Sequence, residues 1–123
     1  MSAHDDSGSV EQINVTTLRT IVERNQVWPR MAAKYGVENP VPPWKTSLDG
    51  LCDALDTAAC DADVPTFKER RDEEDALSAT LYSSLPYPEN QLVALAHSLV
   101  ARGVIDETEL AQRLASVRAR LEA

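Results

Sequence analysis

The sequence lacks features that several classes of protein require. Only 4 of its 123 residues are glycine and 5% are aromatic, which argues against a β-sandwich or barrel with many tight turns. No stretch approaches the roughly 20 apolar residues of a membrane span. Its first residues have neither the basic start nor the apolar segment of an export signal. The sequence therefore predicts neither an extracellular β protein nor a membrane protein.

Cysteine, histidine and positive charge are also in short supply. Cys52 and Cys60 are the only cysteines, and neither His4 nor His97 lies at metal-ligand spacing from them. We expect both cysteines to be reduced thiols in a cytoplasmic protein, with Cys52 on the core face of a helix. The net charge of −8 makes nucleic acid and anionic membranes unfavourable partners.

The chain divides into three regions. Residues 1–12 are small, polar and acidic, and we expect a disordered tail there. Residues 13–46 contain two short helices, separated at Pro29 and ended by Gly36, and then a proline-rich segment that favours extended geometry. Trp44 closes this arm, either buried in a partner or anchored to the chain's own core, and the sequence leaves both alternatives open.

Residues 47–123 carry amphipathic helices with clear start and stop signals. Ser47 can cap the first of them, Thr66 and Glu69 form a capping box, and Gly103 ends a later helix. The last two helices are joined by a short link, which predicts an αα-hairpin. The expected fold is all-α: an extended proline-rich N-terminal arm followed by a small helical domain.

Few residues of the sequence suggest a catalytic or ligand-binding role. Arg70 and Arg71 are the strongest candidates, because a guanidinium presents a planar fork of donors to oxyanions. The alternative is a solvated helix face with an Arg71–Asp75 pair. His97 lies off the apolar stripe of its helix, so we expect it on the surface. Without further information, these features predict an acidic, helical protein that binds partners.

Several motifs occur in an order that is similar to a known family. Arg70-Arg71, Leu81-Tyr82, Leu85-Pro86-Tyr87 and the segment Arg102–Leu110 resemble the N-terminal half of the nitrile hydratase β subunit. The resemblance is closest to the β subunit of thiocyanate hydrolase, a short chain of a three-subunit enzyme. It covers roughly Trp44 to Arg118.

The resemblance implies roles for three residues. Arg71 matches the family arginine that contacts oxidised cysteine oxygens, so we expect it in the catalytic machinery. Tyr82 and Tyr87 match tyrosines that line the substrate channel. Pro88 departs from the family, which usually has a second tyrosine there.

The resemblance also implies partners. The metal, cobalt(III) or iron(III), belongs to a Cys-rich loop of the α subunit, and we expect no cofactor in this chain. The small β-barrel of a full-length β subunit, with its second arginine, is expected on a separate subunit.

Three functions follow from these expectations. The first is a non-metal subunit of a nitrile hydratase, a lyase that hydrates a small-molecule nitrile to an amide, or of a thiocyanate hydrolase. The second is an activator or metallochaperone of such an enzyme, although Cys52 and Cys60 are few for handling metal. The third is a helical adaptor without enzymatic activity.

Overall fold

A computed structural model describes residues 10–122, and its architecture is all-α as predicted. No β-strand occurs in that range, and none of its helices is long and apolar enough to cross a membrane. After a 3-10 helix at Val10–Gln12, the helices are α1 Thr16–Glu23, α2 Trp28–Tyr35, α3 Lys45–Ala58, α4 Phe67–Ala79, α5 Glu89–Ala101 and α6 Glu107–Glu122.

Local signals explain where several helices begin and end. Thr66 and Glu69 form the predicted capping box, each side chain accepting a hydrogen bond from the other residue's backbone N–H. Gly36 and Gly103 follow helices with φ of 70° and 76°, a left-handed conformation that costs glycine little. The Asp106 carboxylate accepts from the Glu109 N–H at 2.9 Å and caps α6.

Helix α5 is the centre of the molecule because it contributes to two apolar clusters. The first cluster joins α5 to α4, α1 and the N-terminal 3-10 helix, and the second joins α5 to α3. Their buried residues are Val10, Val15, Leu18, Leu77, Tyr82, Val93 and Ala94 in the first, and Leu48, Leu55, Leu95 and Leu99 in the second.

This central position corrects the prediction for His97. The side chain is 0% exposed and is held at both ring nitrogens, 2.7 Å from the Tyr82 hydroxyl and 2.8 Å from the Val10 carbonyl oxygen. The surface prediction was wrong because α5 is buried on more than one face, so a residue off its main apolar stripe still meets the core.

The N-terminal region also differs from expectation. Val10 is only 6% exposed, so the expected tail of residues 1–12 extends too far; residues 1–9 lie outside the described part. Trp44 packs against the cluster formed by α3 and α5, and the Trp28 indole N–H donates to the Asn39 carbonyl at 2.7 Å. Both tryptophans thus contact this chain's own residues.

Candidate functional site

The two arginines line a cleft on the side of the molecule formed by α3 and α4. Its volume is about 420 Å³. Five carboxylates face two guanidinium groups there, and the full lining is Asp49, Cys52, Asp53, Asp56, Phe67, Arg70, Arg71, Glu74, Asp75 and Gln91. The wall is therefore mostly acidic, with its positive charge concentrated at the start of α4.

The two arginines differ sharply in their contacts. Arg70 forms an ion pair with Asp56 and lies 5.7 Å from the centroid of the Phe67 ring, with its side chain 10% exposed. Arg71 is exposed and forms no hydrogen bond or ion pair within residues 10–122. The alternative Arg71–Asp75 pair considered above is not formed. Arg71 is thus the arginine whose donors are available to another molecule.

Burial shifts the ionisation of two neighbours. The pKa of Glu74 is raised, first by burial and then by the charge of Asp75, while Arg71 and Arg70 partly oppose the shift. Burial likewise raises the pKa of the Cys52 thiol. A raised pKa favours the neutral thiol, so Cys52 suits packing better than nucleophilic attack.

The corner between α4 and α5 presents Tyr87 to solvent. Its side chain is 65% exposed, and the Lys45 ammonium lies 5.5 Å from its ring centroid. Lys45 also forms an ion pair with Asp49, and that pair, followed by Tyr87, raises the pKa of Lys45. Asp49 lines the cleft that contains Arg71, so Lys45 connects Tyr87 to the edge of that cleft, although Tyr87 is not itself a lining residue.

Tyr82 is not part of this surface. It is 1% exposed and lies in the first cluster. A carbonyl can only accept, so the His97 Nε2–H donates to Val10 and the Tyr82 hydroxyl donates to His97 Nδ1. Burial raises the pKa of Tyr82 to about 12. The structure thus leaves Arg71 and Tyr87 exposed and places Tyr82 in the core.

Lys45 and Asp49 are the residues of this surface that the sequence did not reveal. Their spacing of four predicts an ion pair on a helix, but nothing in the sequence indicates that the pair lies beside Tyr87. Across residues 10–122, no group of three or more His, Cys, Asp or Glu side chains could hold a metal ion.

Comparison with known families agrees with the motifs. The family model described as nitrile hydratase beta subunit, N-terminal, matches residues 8–123. The match includes the N-terminal third, beyond the region in which the motifs alone show a resemblance. The chain belongs to the nitrile hydratase β-subunit N-terminal family. No curated protein and no solved structure matches it.

Proposed function

We propose that this chain is a non-metal, β-type subunit of a heteromeric nitrile hydratase, an enzyme that adds water to a nitrile to form an amide. The family match over residues 8–123 is the observation that carries this proposal. In the proposed complex a partner α subunit would hold cobalt(III) or iron(III) in a Cys-rich loop, and the metal would supply the chemistry that activates water. This chain supplies a wall of the site and one positively charged group.

Arg71 is proposed as that group. Cysteine oxygens in sulfenate or sulfinate form accept strong charge-assisted hydrogen bonds, and such an anion is costly to bury without a partner. Arg71 can donate two parallel hydrogen bonds and stays charged when water is excluded. It is exposed and unpaired within residues 10–122, whereas Asp56 and Phe67 already hold Arg70.

Glu74 is one of the carboxylates in the cleft that contains Arg71, and its pKa is shifted in the direction that favours the neutral form. Burial raises the pKa of Glu74, so this group takes up a proton more readily than an ordinary glutamic acid when negative charge approaches. Protonation would reduce the repulsion and leave Arg71 to the new oxyanion.

Tyr87 is proposed to line the substrate pocket, because it is 65% exposed and Lys45 and Asp49 connect it to the edge of the cleft that contains Arg71. Tyr82 was also expected to contact substrate. Because Tyr82 is buried and hydrogen-bonded to His97, we propose instead that it supports the corner between α4 and α5 from inside the core.

The role of Arg71 is tested by Arg71→Lys in the assembled enzyme. Lysine keeps the charge but loses the planar fork, so the complex should form while turnover of a nitrile falls at least about tenfold, or about 1.4 kcal/mol. Arg30→Lys, at an exposed arginine on α2, is the matched control and should retain activity.

Two outcomes would contradict the assignment. Wild-type turnover in Arg71→Lys would mean that Arg71 contacts no oxyanion. Loss of turnover in Arg70→Lys, with Arg71→Lys unaffected and both complexes stable, would move the role to Arg70. Parallel assays with a nitrile and with thiocyanate distinguish the two enzyme types that the motifs resemble.

A further inference from the structure

Helix α6 carries an apolar stripe that leaves the core. Leu110, Leu114, Val117 and Leu121 follow one another at intervals of four, three and four, which is the a/d spacing of a coiled-coil seam. Leu110 packs against the first cluster, but Leu114, Val117 and Leu121 are 38%, 40% and 77% exposed. The stripe is therefore covered at its start and open along the rest of the helix.

The open part of the stripe faces a groove of about 660 Å³ between α6 and α1. Ile21 stands on the α1 side and is 37% exposed. The two helices are joined near the start of α6, where Glu107 Oε2 accepts from the Thr17 N–H and hydroxyl, both at 3.2 Å. No residue of Glu107–Glu122 is buried, and a helix of this length is marginal without packing.

The charges beside the stripe limit what can cover it. With Leu114 and Leu121 at a positions and Val117 at d, the flanking e and g positions hold Arg113, Arg118 and Arg120, together with Ala111. Arg24, the residue that follows α1, also lines the groove. Arg113 pairs with Glu109 and Arg118 pairs with Glu122, which also lines the groove. Both are exposed i,i+4 contacts that contribute little free energy, so a partner's carboxylates can replace them.

A second copy of the chain is a poor occupant. In a parallel pair of α6 helices Arg113 would face Arg118 of the other copy, and an antiparallel pair would place like flanks together. Either arrangement sets arginine against arginine, which is unfavourable. A helix with Asp or Glu at its flanking positions would instead pair with all three arginines.

We propose that the groove between α1 and α6 is the docking site for an amphipathic helix of a different protein chain, with apolar a and d positions and acidic flanks. The chain's net charge of −8 does not prevent this, because charges more than about 10 Å away are screened at physiological salt. The groove is a separate site from the Arg71 cleft, since the two share no lining residue.

Two synthetic helical peptides of about four heptads provide the probes. Both carry leucine at a and d; one has glutamate at every e and g position and the other has lysine. Titration calorimetry with the full chain should show the glutamate peptide binding at least about tenfold more tightly, a preference that shrinks as salt rises from about 50 to about 500 mM.

Variants of the chain locate the binding. Leu114→Gln with Val117→Gln should abolish binding of the glutamate peptide. Leu51→Gln, at a residue on α3 that is 43% exposed, is the matched control and should bind normally. Arg113→Glu with Arg118→Glu should reverse the preference in favour of the lysine peptide.

Three results would overturn the inference. These are binding of neither peptide, equal binding of both, or dimerisation of the wild-type chain in sedimentation that Leu114→Gln removes. The last result would assign the groove to a second copy.

Discussion

Mild acid should destabilise this fold through His97. The imidazole is 0% exposed. Its contact with the Val10 carbonyl places a proton on Nε2, and in the neutral ring Nδ1 then accepts from the Tyr82 hydroxyl. Burial is the main cause that lowers its pKa, while the hydrogen bond to the Val10 carbonyl and the charge of Glu73 oppose the shift. The native state therefore resists protonation more than the unfolded chain does.

The sign and size of the effect follow from this difference. Below the unfolded pKa of about 6.5, the unfolded chain binds a proton that the native chain does not. Stability falls by up to about 1.4 kcal/mol for each pH unit until the folded pKa is reached. At about pH 5.5 the loss is at most about 1.4 kcal/mol, against a typical total of roughly 5–15 kcal/mol.

Urea unfolding of the wild type and of His97→Gln at about pH 7.5 and about pH 5.5 measures the effect. Glutamine can replace one donor and one acceptor but does not titrate, so the wild type should lose up to about 1.4 kcal/mol more than the variant. The pKa of Glu74 is raised in the native state, so its titration makes the fold more stable as the pH falls. Because this occurs in both proteins, it does not affect the difference between them. Equal pH dependence in the two proteins would refute the assignment to His97.

Two further substitutions test contacts on and near the candidate site. Glu73→Gln removes the carboxylate on α4 that Arg102, at the end of α5, contacts at 2.6 and 3.2 Å. Because the pair is partly exposed, we expect the free energy of unfolding in urea to fall by about 1 kcal/mol. An unchanged unfolding midpoint would contradict this. Tyr87→Phe should leave the free energy of unfolding within about 0.5 kcal/mol of wild type while changing KM or kcat of the assembled enzyme, and unaltered kinetics would remove Tyr87 from the pocket.

Local signals made much of the helical architecture predictable. The capping box at Thr66 and Glu69 and the left-handed glycines at Gly36 and Gly103 act over three or four residues, and each is visible in the sequence. The start of α3 was less predictable: the helix begins at Lys45, before the expected cap Ser47, where Trp44 packs against the second cluster.

Tertiary contacts explain what the sequence could not predict. Val10 and His97 meet across 87 positions, so neither the buried Val10 nor the buried histidine is recognisable from local patterns. For the candidate site, the motifs selected Arg71, Tyr82 and Tyr87, but they did not reveal that Tyr82 is buried. Nor did they reveal that Arg70 forms an ion pair with Asp56, which lies on a different helix. Helical spacing predicts contacts within one helix, whereas these contacts depend on how helices pack.

The central claim is that this chain works as a β-type subunit. The most direct test is to express it with and without a nitrile hydratase α subunit from the same organism, and to measure both co-elution in gel filtration and nitrile hydration. The account predicts a stable complex that buries on the order of 2,000 Å² or more, with activity that requires both chains. A chain that elutes as a well-folded monomer in the presence of that subunit, and leaves its activity unchanged, would contradict the account.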